Sequence, residues 1–273
     1  MLGSLRVRVF VCAIEITESI INSAYAIKTV LFILEILKQA CVLAWKALCI
    51  WSGGPYSHGH PTGSNQRSKL GIFKDMNIAF ICDGNRRYMK KFGQKDKFKK
   101  DKGLHKIYEF INFGYFYGFK EISFFCFALN NLKRSPDEVN GIMEIVKRKT
   151  KEPKEISIMP RFRVYGRLDL LEKDVRDRLV DLERESKSNT DITVNIFFAY
   201  SSEDEINNGI QFDSRVDILI RTGDTRRLSN FMIRQVAKGT SVFFAKSMWP
   251  ELTTAHLFLI LLKHKLEDKY LLN

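Results

Sequence analysis

The 273-residue sequence has few cysteines, and they form no pattern that would hold a metal ion or a disulfide framework. Its five cysteines include no Cys-x-x-Cys pair and no histidine cluster accompanies them, so a zinc site is not predicted. An odd number of cysteines without a framework fits a reducing compartment. Cys82 and Cys126 lie in apolar runs, where a free cysteine behaves as a small hydrophobic residue.

The first 51 residues are rich in apolar side chains but lack an uncharged run of the about 18 residues that a membrane-spanning helix needs. Charged residues interrupt the apolar runs at Glu15, Glu18, Lys28, Glu35, Lys38 and Lys46. The last four fall within an arc of roughly 80° on a helical wheel, which leaves a wide apolar face. That face would pack on a protein core or lie in a membrane interface, with Trp45 and Trp51 among the headgroups. We favour the membrane interface, and no cleaved signal peptide is predicted.

Acidic residues are scarce relative to basic ones. The chain has 44 Lys and Arg against 31 Asp and Glu, a formal net charge of +13. Such an excess predicts an anionic partner: nucleic acid, an anionic membrane surface or a phosphorylated substrate. Composition alone does not choose among the three. The hydrophobic content of 45% is enough for one sizeable core.

The composition changes twice along the chain and predicts three parts. Residues 1–51 form the amphipathic helical extension. Residues 52–74 are rich in Gly, Pro, Ser and Asn, which is typical of a linker. Residues 75–273 carry the features of one folded domain.

Within that domain, apolar runs alternate with amphipathic segments. Continuous apolar runs are typical of parallel strands that are covered on both faces, and their alternation with helices predicts an α/β fold. We therefore expect a central, mostly parallel six-stranded sheet flanked by helices. Residues 168–186 repeat leucine or valine every three or four positions and predict a helix, and Ser135-Pro136 predicts the start of another. The strand candidates are residues 77–82, 121–128, 162–166, 191–199, 216–221 and 241–245.

The first strand runs directly into Asp83-Gly84-Asn85, followed by two arginines. In parallel sheets, ligands bind at the carboxyl ends of the strands. Gly84 would allow a tight turn and the close approach of a ligand, and Asn85, backbone N–H groups and Arg87 would form an anion cradle. Asp83 would tolerate a phosphate only with a divalent cation between them. Taken alone, the triplet is as well explained by a helix N-cap.

Two further strands place polar groups at the same predicted edge. Arg221 ends the fifth strand, with Arg227 and Ser229 just beyond, and Asn131 and Arg134 follow the second. Arginine matches phosphate oxygens with two parallel hydrogen bonds. The sequence thus predicts a site for two anionic groups with one carboxylate to hold a metal ion.

The basic run RRYMKKFGQKDKFKKDK, which begins at Arg86, has two readings. It fits a solvated helix face or loop. It also fits a nucleic-acid groove, because aromatic and basic residues interleave. No RRM, KH, zinc-finger or helix-turn-helix pattern accompanies it.

Four segments together resemble the conserved regions of the cis-prenyltransferases, the undecaprenyl and dehydrodolichyl diphosphate synthases. They are IAFICDGNRRYMKKFG, FFCFALNNLKRS, VNIFFAYSSEDEI and DILIRTGDTRRLSNF, the last followed by MWPEL. They stand in the family's order over about residues 77–260. The DGNRRY and FAYSS forms are most similar to eukaryotic dehydrodolichyl diphosphate synthase subunits.

The resemblance implies a fold, an activity and a role for each site residue. It implies an apolar tunnel beside the sheet and the condensation of isopentenyl diphosphate with farnesyl diphosphate to a long polyprenyl diphosphate for dolichol and protein glycosylation. It implies that Asp83 binds Mg²⁺ and is the principal catalytic residue, with Asn131 assisting proton loss. The implied substrate-binding residues are Gly84, Asn85, Arg87, Arg134, Arg221, Arg227 and Ser229.

The sequence departs from the family pattern at several positions. Asp96 and Lys100 replace an Arg and a His, and Asn130 replaces a Glu. Asp224-Thr225 replaces Gly-Glu, and the chain between residues 210 and 216 is short by a helix. These changes bear on efficiency more than on identity.

The resemblance also implies a partner and a location. No Arg-x-Gly follows Trp249-Pro250, the motif that homodimeric members extend to the neighbouring active site. We therefore expect a heteromer with an Arg-x-Gly-bearing accessory subunit, at the cytoplasmic face of the endoplasmic reticulum membrane, and no nucleic-acid partner. The alternatives are a non-catalytic accessory subunit and a basic nucleic-acid-binding protein.

Overall fold

The computed structural model describes residues 70–92, 101–150, 156–209 and 212–270. Within them lies one six-stranded sheet in the order β3-β4-β2-β1-β5-β6, and every neighbouring pair of strands is parallel. The α/β sheet that the sequence predicts is confirmed, with strand ends within two residues of the predicted ones. The strands are β1 Asn77–Ile81, β2 Glu121–Ala128, β3 Arg161–Tyr165, β4 Thr193–Tyr200, β5 Ile218–Arg221 and β6 Ser241–Phe244.

Helices connect and flank these strands. The helix predicted at Ser135-Pro136 does begin there, with proline in its first turn. The helix predicted over residues 168–186 begins later, at Lys173, after a separate 3₁₀ turn at Leu168–Leu170. The helices are α1 Asn85–Phe92, α2 Lys102–Tyr117, α3 Pro136–Lys149, α4 Lys173–Glu185, α5 Ser202–Asn208, α6 Ile233–Ala237 and α7 Thr254–Tyr270.

Aromatic side chains fill one face of the central strands. Phe80 of β1 stacks on Phe124 of β2, with ring centroids 5.6 Å apart, and also contacts Phe110 of helix α2 and Trp249. All four rings are at most 1% exposed. Burial of this much aromatic surface stabilises the sheet and fixes the end of β1 that leads to Asp83.

The opposite face has its own aromatic cluster, because successive strand residues point to opposite sides. Phe125 of β2 stacks on Phe231 at a centroid distance of 4.4 Å, and Phe197 of β4 meets the same ring edge-on. Phe231 belongs to the segment that follows β5. The cluster therefore anchors that segment beside the carboxyl ends of the strands.

The described residues up to Leu261 belong to one compact unit, and the predicted domain boundaries remain predictions. Phe73, near the end of the predicted linker, is fully buried and packs against Tyr117 and Phe119. The predicted helical extension, residues 1–51, lies outside the described residues. Across the part of the chain that the structure describes, no helix is both long enough and apolar enough to span a membrane. The apolar tunnel remains a prediction.

Candidate active site

The turn after β1 is built around Gly84. Its φ of +108° is a conformation that only glycine adopts readily, and a Cβ placed there would lie 2.7 Å from Cβ of Met248. The predicted tight turn is therefore confirmed. The space beside Gly84 is filled by the protein's own Met248, whereas the sequence predicted that a ligand would approach there.

Two later segments hold the backbone of Asp83. Its carbonyl oxygen accepts hydrogen bonds from Thr222 Oγ1 and from the backbone N–H of Trp249, both at 2.8 Å. Thr222 Oγ1 also lies 3.2 Å from the carbonyl oxygen of Ile81. The turn is thus tied to the end of β5 and to the segment that follows β6.

The carboxylate of Asp83 forms an ion pair with Arg221. Arg221 Nη2 donates to Asp83 Oδ2 at 2.8 Å; the Arg221 side chain is 4% exposed and that of Asp83 is 32% exposed. Arg87 Nη2 lies 3.6 Å from the other oxygen. Partial burial would raise the pKa of Asp83, but the hydrogen bond and charge of Arg221, with Arg87, hold that pKa below its ordinary value.

Arg221 also organises the loop beyond β5. Its Nη1 donates to the carbonyl oxygen of Arg227 at 2.5 Å and to Ser229 Oγ at 2.6 Å. Its buried Nε has no partner among the described residues. One guanidinium group therefore holds Asp83 and the 222–229 loop in a fixed relation, and most of its donors are engaged by the protein itself.

Arg87 and Asn85 lie on the first turns of helix α1. Arg87 Nη2 donates to the carbonyl oxygen of Gly223 at 2.6 Å, while 53% of its side chain is exposed. Asn85 Nδ2 donates to the carbonyl oxygen of Cys82 at 3.0 Å. A Cβ on Gly103 would come within 2.4 Å of Asn85 Oδ1, so helix α2 approaches Asn85 closely.

Asn131 and Arg134 have local contacts at the end of β2. Asn131 Oδ1 accepts from the backbone N–H of Ala128 at 3.2 Å. Arg134 Nη1 donates to Glu138 Oε1 at 2.7 Å, and Arg86 Nε lies 3.7 Å from the same oxygen. Glu138 therefore links Arg134 and helix α3 to Arg86 of helix α1.

The structure thus joins Asp83, Arg87, Arg221 and Ser229 through direct contacts. The side chain of Arg227 is exposed and only its carbonyl oxygen takes part. Thr222, Gly223 and Trp249 support the site through the contacts above, and the sequence alone predicts no role for them. Their only signal was that they stand inside the segments with family resemblance. Asp96 and Lys100 lie outside the described residues.

Among Asp83, Arg87, Arg221 and Ser229, the carboxylate of Asp83 is the group that could bind a magnesium ion. Among the described residues, no group of three or more His, Cys, Asp or Glu side chains could hold a metal ion. Mg²⁺ is commonly bound by one or two carboxylates together with substrate phosphates. Asp83 would fit that mode, and substrate phosphate oxygens and water would have to supply the remaining ligands.

A protein-family model matches most of the described chain. The family model described as putative undecaprenyl diphosphate synthase matches residues 81–214 and 210–271, which together cover the whole site. The two matches overlap at residues 210–214.

Individual relatives agree with the family model. A dehydrodolichyl diphosphate synthase of Encephalitozoon cuniculi is 68% identical over 272 residues, covering 100% of both chains. The human dehydrodolichyl diphosphate synthase complex subunit DHDDS is 29% identical over 227 residues, 71% of this chain and 68% of the human protein. A complex subunit from Schizosaccharomyces pombe is 28% identical over 70% of this chain and 85% of its own length.

Solved structures share the fold. Lavandulyl diphosphate synthase from Lavandula x intermedia, in complex with dimethylallyl diphosphate, superposes with a TM-score of 0.61 at 21% identity, covering 69% of this chain and 94% of that chain. A probable undecaprenyl diphosphate synthase from Campylobacter jejuni gives 0.55 at 23% identity, covering 70% and 95%. The chain therefore belongs to the undecaprenyl diphosphate synthase family, and it is a cis-type prenyltransferase.

Proposed function

We propose that this prenyltransferase adds isopentenyl diphosphate to farnesyl diphosphate and makes a long polyprenyl diphosphate of the dehydrodolichyl type, for dolichol and protein glycosylation. The name of the Encephalitozoon relative supports this product class. The observation that carries the proposal is the Asp83–Arg221 pair at the carboxyl ends of β1 and β5, since it joins a carboxylate suited to a metal with cations suited to phosphate.

The reaction breaks the allylic carbon–oxygen bond of the primer. Diphosphate leaves with additional negative charge, and an allylic cation develops. The double bond of isopentenyl diphosphate attacks that cation, and a proton is then lost. Preorganised donors aimed at the departing oxygens lower this barrier, because they stabilise charge that is larger in the transition state.

The residues of this chain divide the task between two diphosphates. We assign Asn85, Arg87 and backbone groups at Gly84 to the diphosphate of the allylic primer. Asp83 would hold Mg²⁺, which neutralises the departing diphosphate when it is bound. Arg227 and Ser229, with Arg221 behind them, would face isopentenyl diphosphate.

We place Asn131 and Arg134 on the loop beside the reacting carbons. The amide of Asn131 would position the reacting group near the end of β2 and assist proton loss. Arg134, fixed by Glu138 at 2.7 Å, would steady the phosphate side of the same loop. Apolar residues beside the sheet would enclose the growing chain, since a polyprenyl product must leave water.

We further propose that the enzyme works with an Arg-x-Gly-bearing accessory subunit at the cytoplasmic face of the endoplasmic reticulum membrane. The human and fission yeast relatives are both named as subunits of a complex, which supports a heteromer. Residues 1–51 would provide the membrane contact through their apolar face. Fractionation of a chain that lacks residues 1–51 tests this: it should leave the membrane pellet.

A non-catalytic accessory subunit is the alternative within the family. Such subunits generally lose the aspartate and the Asn-x-Arg of the first motif, whereas this chain keeps Asp83, Asn85 and Arg87. Incubation with farnesyl diphosphate, labelled isopentenyl diphosphate and Mg²⁺, with and without a candidate partner, separates the two. If Asp83→Asn leaves the partner-supported rate unchanged, this chain is not the catalytic subunit.

A further inference from the structure

The loop that follows Arg221 is held in an uncommon backbone conformation. Ser229, Asn230 and Met232 have φ values of +51°, +61° and +52°. Non-glycine residues rarely adopt such values, and several close together persist only where the surrounding structure fixes them. The loop therefore needs an anchor outside itself.

Helix α5 supplies that anchor through Asn230. The carbonyl oxygen of Asn230 accepts from the backbone N–H of Ser202 at 2.8 Å, and its Oδ1 accepts from the backbone N–H of Glu203 at 3.1 Å. Asn230 Nδ2 returns a bond to Glu203 Oε2 at 3.4 Å, and Ser202 Oγ accepts from the N–H of Ile233 at 3.1 Å. Asn230 thus caps a helix that is distant in sequence, and that helix fixes the loop.

The same loop carries the Arg221 contacts. Ser229 directly precedes Asn230, and its hydroxyl accepts from Arg221 Nη1 at 2.6 Å. Arg221 Nη2 reaches Asp83. A continuous path of contacts therefore runs from the first turn of helix α5, through Asn230 and Ser229, to Arg221 and Asp83.

We propose that Asn230 is a positioning residue for diphosphate binding: by capping helix α5 it holds Ser229 and Arg221 in their binding geometry. The inference rests on the proposed function of the Arg221 site. Asn230 itself need not touch a substrate. Its side chain combines two properties that the position requires, an oxygen that reaches the Glu203 N–H and tolerance of a left-handed backbone.

Three variants separate these properties. Asn230→Gly keeps the backbone conformation and the Ser202 contact accessible but removes the side-chain cap of the Glu203 N–H. Asn230→Asp keeps the oxygen that accepts from that N–H and loses the bond that Nδ2 donates to Glu203. Ser201→Ala is the matched control, because Ser201 Oγ caps the same helix at the Asp204 N–H, at 3.1 Å, without contacting the loop. The readouts are the dissociation constant of inorganic pyrophosphate for the full chain, by calorimetry at 20 °C, and the melting temperature.

We expect Asn230→Gly to weaken pyrophosphate binding at least tenfold, and Asn230→Asp and Ser201→Ala to stay within twofold of wild type. Equal binding by a folded Asn230→Gly would overturn the inference, as would a tenfold loss in Asn230→Asp. If Asn230→Gly does not fold, Asn230→Ser takes its place under the same criteria, since its shorter side chain leaves the Glu203 N–H unpaired. A wild-type chain that does not bind pyrophosphate would instead contradict the proposed function.

Discussion

At the scale of single residues, the site is organised by one ion pair that joins positions 83 and 221. The sequence predicted both residues and placed both at the carboxyl edge of the sheet. It did not predict that they pair, because the order of the strands decides which strand ends meet. As a result, Arg221 is a buried organiser of the site as well as a candidate phosphate ligand.

Replacing Asp83 by Asn should abolish condensation and also lower stability. The amide keeps the hydrogen bond from Arg221 but loses its charge, which we expect to reduce the free energy of unfolding by about 1 kcal/mol at pH 7. Because the pKa of Asp83 is lowered, its contribution is present above the ordinary value of 3.8 and is lost as the pH falls through the folded-state pKa. Urea unfolding between pH 3 and 7 measures the difference.

The control for this prediction is Asp224→Asn, in the same loop. The Asp224 side chain is exposed and has no ion-pair partner among the described residues, so Asp224→Asn removes a charge from the same loop without breaking an ion pair. A constant gap between wild type and Asp83→Asn from pH 7 to pH 3 would show that the Asp83 charge does not stabilise the fold.

Arg221 and Arg227 should differ although both are expected to serve isopentenyl diphosphate. Arg227→Ala removes an exposed cation, so we expect the KM for isopentenyl diphosphate to rise at least tenfold, from a contact worth about 1.5–3 kcal/mol, with stability unchanged. Arg221→Lys should also lower the free energy of unfolding by about 1–3 kcal/mol, because an ammonium group cannot reach Asp83 and Ser229 together.

Steady-state kinetics with each substrate varied in turn test the Arg221 and Arg227 variants. Arg226→Ala is the control, because Arg226 is an exposed arginine next to Arg227. The KM for the allylic primer should change much less than that for isopentenyl diphosphate. An equal rise in both values would contradict the division of the site between two diphosphates.

At the scale of elements, the strands could be predicted well and the helix starts less well. Continuous apolar runs mark buried parallel strands, and all six were placed correctly. The helix predicted from residue 168 begins at Lys173. The predicted start is too early because Leu168 and Leu171 are three residues apart, and a 3₁₀ turn places such residues on one side just as an α-helix does. Periodicity alone does not distinguish the two helix types over a single turn.

The packing of the Met248–Trp249 segment against the turn after β1 could not be predicted at all, since it depends on tertiary contact. It gives a prediction for Gly84. Alanine there must adopt a φ of +108° and also overlap Met248, so the variant should be destabilised and displace the Asp83 carboxylate. Gly239→Ala is the matched control, with a φ of +101° and no heavy atom within 4 Å of the added Cβ.

Both variants place alanine at a positive φ, so the difference in stability between them measures the overlap of the added Cβ with Met248. We expect Gly84→Ala to lower the free energy of unfolding by about 1–3 kcal/mol more than Gly239→Ala, the usual cost of overpacking. Chemical denaturation of both variants measures it, and prenyl transfer should fall only in Gly84→Ala. Equal destabilisation would mean that Met248 moves aside without cost.

At the scale of the whole molecule, the strand order explains where the site lies. The sheet places β2, β4 and β3, in that spatial order, on one side of β1, and it places β5 and β6 on the other side. Ligands in open parallel sheets bind where the order reverses, here between β1 and β5. Arg221 ends β5, and Asp83 lies two residues beyond the end of β1. Strand order follows from helix packing and connection geometry, which is why the sequence predicted a common edge but not the neighbours.

The same arrangement leads to a prediction about the partner. Arg221 neutralises Asp83, and Arg87 lies 3.6 Å from the same carboxylate, so part of the positive charge in the site is already engaged. Two diphosphate groups therefore need further donors as charge develops on the leaving group. An arginine and an N–H group from an accessory subunit would complete the set, and a single preorganised donor of this kind is typically worth about 10²–10³ in rate.

We therefore expect the full chain alone to make long polyprenyl products slowly, and an Arg-x-Gly-bearing subunit to raise kcat at least a hundredfold. The measurement is the turnover of labelled isopentenyl diphosphate by the purified chain, with and without that subunit. A partner in which the motif arginine is changed to alanine should still bind, which a pull-down checks, but should restore little of the rate. Full-rate synthesis of long products by the chain alone would show that its own residues complete the site.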